Sequence, residues 1–492
     1  MRSRTEQRNY CDVLVIGAGP GGLSAAAAAA KELRRGGQTP GVLVLEREEI
    51  PGGILNQCVH DGFGIVRYGA QLSGPEYARI EQEKAEASGV RVLTGHMVTE
   101  IRRITEEIAR FAVTAISPGG RQVFYAKAVV LATGCRERTR GMLSIPGTRP
   151  AGIFTAGVAQ NLINRKNIMV GRRVVILGSG DIGLIMARRL SLEGAQVLCA
   201  AEVMEQPTGL ARNVRQCLFD YDIPLYLRTG VSNIYGRDRL VAVELSQVDE
   251  HLQPIPGTGR RIECDTLILS VGLIPENEVA KTAGVALNRR GGAATDFYLQ
   301  TSIPGIFACG NAREVMDLAD FVSEQGEAAG RNAAAFAAGQ PLRKWEKELH
   351  NAARRGMPEE GSVTCTLCPK GCQIRITKTD DAEQGEWSIT GNGCPRGAAF
   401  ARQERTDPQR ILTTTMRIRQ AEEAGGDRLI PVRSDAPVAL REMKEIAEAL
   451  REMTIALPAQ GIAPGQVLVR DVGSTRVNII AEAGMEGIRC NT

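Results

Sequence analysis

No apolar run in this 492-residue chain exceeds strand length, so no segment is long enough to cross a bilayer as a helix. Neither sign of charge prevails: the formal net charge is +4, with acidic and basic residues interspersed. Bulk charge therefore gives no argument for binding nucleic acid or a membrane surface. The first ten residues, Met1 to Tyr10, are polar and lead straight into an apolar run. No secretory leader is expected there, and the location expected is cytoplasmic. Closely paired cysteines are also missing, outside one cluster. Eight of the 12 cysteines stand singly, at 11, 58, 135, 199, 217, 264, 309 and 490. Such residues in a reducing compartment behave as small buried hydrophobes. The remaining composition, 43% hydrophobic and 24% charged, is that of a globular protein, and the length suits about three domains.

What is present begins at Asp12. A short apolar run enters Gly17-Ala-Gly19-Pro20-Gly21-Gly22, a helix of six alanines follows, and a second apolar run, Val42 to Leu45, ends in Glu46. Gly17 suits a tight turn, Gly19 lets the backbone approach a pyrophosphate, and Gly22 lets the helix lie close on the sheet. The helix N-terminus offers unpaired N–H groups to phosphates, and Glu46 is placed to take a ribose hydroxyl pair. Next comes a glycine-rich loop, Pro51-Gly-Gly53-Ile-Leu-Asn-Gln-Cys58-Val-His60. It is expected on the carboxyl side of the sheet, where ligands bind in doubly wound folds. A helix is expected near 74–87, a strand near 90–94, and an antiparallel ribbon over 101–116 and 121–126. A separate buried strand then leads into Ala132-Thr133-Gly134.

The pattern recurs at Arg172. A strand enters Gly178-Ser-Gly180-Asp181-Ile182-Gly183, a helix follows, and a second strand ends in Glu202. Two nucleotide-binding units in one chain imply two dinucleotides, or a dinucleotide and a substrate. A carboxylate at Glu202 favours a free 2′-hydroxyl, hence NAD(H) over NADP(H), and no Lys or Arg follows within residues 203–209 to welcome a phosphate.

With Gly272-Leu-Ile-Pro275 and Thr301-Ser-Ile-Pro-Gly-Ile-Phe-Ala-Cys309-Gly310-Asn311, the chain resembles the glutathione-reductase-like flavoproteins over about residues 10–345. The resemblance implies an α/β fold of two Rossmann-like domains, the second inserted in the first. FAD would be held by Gly17 to Gly22, Glu46, Gly53, Ala132, Thr133, Gly134, Gly310 and Asn311. NAD(H) would be held by Gly178 to Gly183 and Glu202, with Gly272 where the inserted domain returns. It also implies that Cys309 packs beneath the cofactor and that the helix after Asn311 aims its N-terminus at the flavin. Asn311 stands where the family usually has Asp.

A disulfide reductase is not expected, because disulfide exchange needs a resolving thiol and the loop holds only Cys58. Cys58 and His60 are expected near the flavin, with packing favoured over reactivity as their role. That loop is similar to those of FAD/NAD subunits of multi-subunit dehydrogenases related to opine oxidase and hydrogen cyanide synthase.

Past residue 345 the composition changes. A charged stretch, 346–361, reads as a linker. Then come Cys365-x2-Cys368-x3-Cys372 and, 21 residues on, Cys394-Pro-Arg-Gly. Three thiolates within eight residues and a distant fourth suit a [4Fe–4S] cluster. A structural zinc site with four thiolate ligands is the alternative. The spacing resembles the cluster segment of molybdopterin oxidoreductases, and a bacterial domain of unknown function found beside such flavoproteins. The rest, 406–492, reads as a small α/β module. The expected division is 1–150 and 289–345 for FAD, 151–288 for NAD(H), and 362–405 for the cysteines. The expected activity passes electrons between NAD(H), FAD, the cluster and a partner dehydrogenase of the glycerol-3-phosphate, hydroxy-acid or amino-acid type. The competing readings are a self-sufficient NADH oxidase with a zinc-stapled tail, and a non-catalytic docking scaffold.

Overall fold

The computed structural model describes residues 9–106, 108–346, 355–378, 387–419 and 427–485. Half of the expected linker (347–354), the first eight residues and Cys490 lie outside those ranges. The chain divides into two compact units, each assembled from separate stretches of sequence.

The first unit comprises residues 1–58, 63–136 and 273–348. Strand Asn9–Ile16 lies between Val42–Leu45 and Gly120–Leu131, parallel to both. Arg91–Leu93 extends this sheet on one side, and Ile306–Ala308 pairs in parallel with Val129–Leu131. The central strands are covered on both faces, which is why they read as unbroken runs of Val, Leu and Ile. Met97–Arg103 and Phe111–Ser117 join the same sheet antiparallel. The sequence suggests a ribbon strand ending at 126 and a separate buried strand from 128. These form one continuous strand of 12 residues, because Lys127 turns out to pair with Asp12 at 2.8 Å.

The alanine helix, Pro20–Arg35, packs against Ala319–Ala337 at backbone distance. A Cβ on Gly326 would stand 2.2 Å from the Gly21 carbonyl, and one on Gly330 would stand 2.0 Å from that of Ala25. Only small residues allow this approach, which explains the composition of both helices. The helix Gly74–Ala87 starts where expected, fixed by a capping box between Ser73 and Glu76.

The second unit comprises residues 59–62, 137–272 and 349–492. Its parallel sheet runs Ile153–Thr155, Thr266–Leu269, Arg173–Leu177, Gln196–Ala201, Leu225–Tyr226. A three-stranded antiparallel sheet, 229–263, accompanies it. The C-terminal residues form a five-stranded mixed sheet around Thr413–Arg419 and Arg428–Ser434, with helix Met443–Glu452. Strands and a helix thus both occur in this stretch, and helix Pro395–Thr406 precedes them.

The C-terminal sheet does not stand alone. Leu412, Met416, Ile418, Ile430, Met443, Ile446 and Leu450 belong to the same buried cluster as Ala159, Ile163, Leu184, Leu190 and Ile268 of the dinucleotide fold. Polar contacts cross the same seam. Buried Arg189 donates to Asn164 Oδ1 at 2.8 Å, to Thr414 Oγ1 at 2.7 Å and to Thr415 Oγ1 at 3.0 Å. Arg188 donates to the Ile411 carbonyl at 3.0 Å. Arg410 holds Glu404 through two hydrogen bonds and pairs with Asp220 at 2.8 Å. Buried guanidinium groups need such complete partnering, since removing one partner strands a charge.

Candidate functional site

Two cradles repeat the same geometry. In the first unit Gly17 has φ +100, and in the second Gly178 has φ +99, a conformation that L side chains avoid. Each turn is followed by an extended glycine, Gly19 or Gly180, that caps the next helix. The Ala18 amide donates to Glu46 Oε2 at 2.7 Å, and the Glu48 amide to Oε1 at 2.8 Å. In the second cradle the Ser179 amide donates to Glu202 Oε2 at 2.9 Å, and the Met204 amide to Oε1 at 3.0 Å. Both carboxylates are buried and held at the strand end by the turn beside them. The second is tied further by the Ser179 hydroxyl.

The other first-unit residues singled out in the sequence gather here. Gly53 lies against Gly19, while the space beside Gly19 itself is clear for 4 Å. Backbone there is open to a ligand's phosphates. The Thr133 hydroxyl donates to the Glu276 carbonyl at 2.6 Å, and the Glu276 amide to the Gly134 carbonyl at 2.9 Å. Asn311 accepts from the Met316 amide at 3.0 Å and donates to Cys135 Sγ at 3.3 Å. An Asp could not make that second bond as a donor. Gly310 donates to Gln325 on the long helix, and Cys309 lies buried beside Gly21.

In the second unit the Asp181 carboxylate receives the Leu210 amide and the Asn213 side chain, both at 2.8 Å. It anchors the loop after Glu202. Ile182 and Gly183 continue that helix, and Gly272 accepts from the Arg138 amide at 3.1 Å.

Cys58 is half-buried, donates to the Ile54 carbonyl at 3.2 Å, and has its thiol pushed up to about 12 by burial. It stays a thiol at neutral pH and is a poor nucleophile. His60 is held down to about 4, mainly by burial, and stays neutral. Cys58→Ser is therefore expected to leave reduction by NADH within about twofold of wild type. A thiolate charge-transfer absorbance that vanishes in the variant together with turnover would overturn that expectation.

The four clustered cysteines are drawn together by a three-stranded ribbon (363–364, 373–378, 387–390) and the helix after it. The Cys365 amide donates to the Cys372 carbonyl at 2.8 Å, and Gly371 closes a turn onto Cys368. Cys394 caps helix Pro395–Thr406 and is exposed. Burial raises the Cys365 thiol to about 11, and Cys368, Cys372 and Cys394 are all close enough to add to that rise. The Gly397 amide, then Arg396, hold the Cys394 thiol below its ordinary value. Among the described residues, no three His, Cys, Asp or Glu side chains are close enough to hold a single metal ion.

Comparison with known proteins agrees with this architecture. Residues 11–326 match the family model for pyridine nucleotide-disulphide oxidoreductases, and the chain belongs to that family. It is an oxidoreductase of the FAD- and NAD(P)-binding kind. Residues 395–482 match a family of proteins of unknown function (DUF1667), starting one residue after Cys394. The chain is 29% identical over 327 residues to one of the subunits of the opine oxidase of Agrobacterium tumefaciens (strain Ach5), covering 62% of each. It is 30% identical over 203 residues to the ferredoxin reductase component of a chlorobenzene dioxygenase from Cupriavidus sp. (strain PS12), covering 40% of this chain and 46% of that one. The matches thus span less than two thirds of these relatives. The fold is shared with the thioredoxin reductase of T. acidophilum, at 22% identity and a TM-score of 0.55, covering 68% of this chain and 99% of that one. Among the described residues no helix is long and apolar enough to cross a membrane.

Proposed function

We propose that the chain is an NADH-linked FAD oxidoreductase that exchanges electrons with a partner dehydrogenase through a [4Fe–4S] cluster. The observation that carries this reading is the doubled cradle, two glycine turns each closed by a buried carboxylate. When bound, flavin and nicotinamide supply hydride chemistry and the change between two and one electrons, and the cluster supplies one-electron exchange.

The chain's own part is to bind, orient and exclude water. Gly17 to Gly22, Glu46, Gly53, Ala132 to Gly134, Gly310 and Asn311 hold FAD, within residues 1–150 and 289–345. Gly178 to Gly183, Glu202 and Gly272 hold NAD(H), within 151–288. Cys365, Cys368, Cys372 and Cys394 ligate the cluster, within 362–405. The donor set suits it: three further cysteines lie close enough to act on the Cys365 thiol, with Lys370 and Arg396 nearby. The partner is supported by likeness to proteins that are themselves components of larger systems, an opine oxidase and a dioxygenase.

A disulfide reductase is the less favoured reading. Cys199 and Cys264 are neighbours in the second unit, but both are buried and burial raises their thiols to about 12 and 11. Neither offers the accessible thiolate that exchange requires.

Anaerobic titration tests the assignment. The purified chain is expected to carry FAD whose absorbance bleaches with NADH far faster than with NADPH, because Glu202 repels a 2′-phosphate. Glu202→Arg is expected to narrow or reverse that preference. Equal kcat/KM for the two nucleotides in wild type would sink the NADH assignment, and a colourless chain that cannot be reconstituted would sink the whole reading.

A further inference from the structure

One buried cation in the second unit has no ion-pair partner among the described residues. Arg212 is the second residue of helix Ala211–Cys217 and only 3% exposed. Its Nε makes no hydrogen bond, and among the described residues the side chain has no ion pair. The neighbouring Asn213 is fully engaged with Asp181 and Gln216, so the helix is held firmly and Arg212 is presented from a fixed base. The guanidinium lies against Gly62: a Cβ there would meet Nη2 at 3.1 Å, Nη1 at 3.3 Å and Cζ at 3.4 Å. Gly62 has φ +117, a backbone conformation that favours glycine, and with no side chain of its own it leaves the guanidinium packed against backbone alone at this point.

The surrounding charges do not balance. Asp61 is the nearby carboxylate and stands 3.9 Å from Arg188. Asp220 and Glu404 are shared between Arg215 and Arg410. His60 is kept neutral by burial, and the Cys217 thiol is pushed up to about 12 by the same cause. Two guanidinium groups, Arg188 and Arg212, and the carboxylate of Asp61 thus all act on His60. A buried charge without a partner is costly, and a site that keeps one is poised for an anion.

We infer that Arg212 anchors an oxyanion, a carboxylate or a phosphate, of a small ligand that enters beside Gly62. The planar fork can give two parallel N–H bonds to two oxygens of such a group, which a lysine cannot. Two sources fit this chemistry: a small organic acid or phosphoester, and the pyrophosphate of a nicotinamide dinucleotide. The inference goes beyond the proposed activity and does not depend on what the four cysteines hold.

The test uses the full-length flavoprotein. Thermal unfolding is followed with inorganic phosphate, with lactate, or with chloride at matched ionic strength, and NADH binding is titrated separately. The comparison covers wild type, Arg212→Lys and Arg212→Met. A ligand that binds only the folded state raises its midpoint. Wild type is expected to gain stability from at least one oxyanion, or to bind NADH more tightly than the variants. Arg212→Met is expected to lose about tenfold or more in that affinity, and Arg212→Lys to recover only part of it. With no anion present, Arg212→Met should unfold at or above the wild-type temperature, because a stranded charge has gone.

A loss seen with phosphate or lactate assigns a small ligand. A loss confined to the NADH titration assigns the dinucleotide. Identical titrations in wild type and variants, or a lowered midpoint of Arg212→Met as the only change, would overturn the inference and make Arg212 structural. Should Arg212→Met fail to fold, equal oxyanion and NADH affinities in Arg212→Lys and wild type would overturn it as well. The outcome is separable from that of the proposed activity, since NADH bleaching of the flavin is read independently in wild type.

Discussion

A chain ending at Trp345 is expected to lose its second unit as a folded body, and not merely a tethered tail. Removing the later residues uncovers the face of the dinucleotide fold that Leu412, Met416, Ile418, Met443, Ile446 and Leu450 now cover. Each such side chain contributes about 1.5–3 kcal/mol through burial, so six of them rival the about 5–15 kcal/mol by which a domain is stable. Arg189 would also lose Thr414 and Thr415 while Asn164 and Glu193 alone remain to it. The truncated chain should bind ANS, be cut rapidly by protease within residues 137–272, and no longer be reduced by NADH. FAD retention is read separately, because the residues assigned to it lie almost wholly in the first unit. A truncated chain that keeps wild-type NADH turnover would show that the shared core contributes little.

The second large effect concerns Cys365, Cys368, Cys372 and Cys394. Anaerobically purified protein is expected to hold about four iron and four sulfide per chain. Serine at Cys394 should abolish both while leaving FAD and its reduction by NADH in place. Cys394 is the informative position: it is exposed and stands at the start of a helix, so its replacement would remove a proposed ligand with little damage to packing. Cys365 is buried, and serine there mixes loss of a ligand with a polar group in the small cluster of Ile374 and Ala401. Electron exchange with a partner should stop in the Cys394 variant while the flavin still bleaches. One zinc and no iron per chain after strictly anaerobic preparation would decide for a structural staple.

The dinucleotide cradles were legible because their determinants are local. Turn, helix N-terminus and carboxylate lie within 35 residues in the first copy, and the glycines announce the backbone conformations they later adopt. The helix Gly74–Ala87 was legible for the same reason, since Ser73 and Glu76 cap it. Long-range partners were not. Lys127 looks like a strand break until Asp12 is known to face it. Nothing in residues 412–450 says that their apolar face meets a helix more than 200 residues earlier rather than a core of their own. Helix Pro395–Thr406 carries three Arg and few large apolar residues and is weakly patterned, so proline after a cysteine was its only signal. Arg212 gave none: a lone arginine is conspicuous only once its surroundings prove to be buried and short of carboxylates.

The split assembly of both units sets an order on their synthesis. The alanine helix leaves the ribosome early, yet the surface it packs on is Ala319–Ala337, and the strand Gly120–Leu131 waits for Ile306–Ala308. The inserted fold likewise awaits Leu412 onward for its cover. Nascent chain therefore carries two open apolar faces through most of translation, and neither closes by local contacts alone. Contacts so distant in sequence form slowly and leave hydrophobic surface exposed meanwhile. This chain should depend on chaperones during synthesis, and a nonsense mutation near its end should be as damaging as one near the middle.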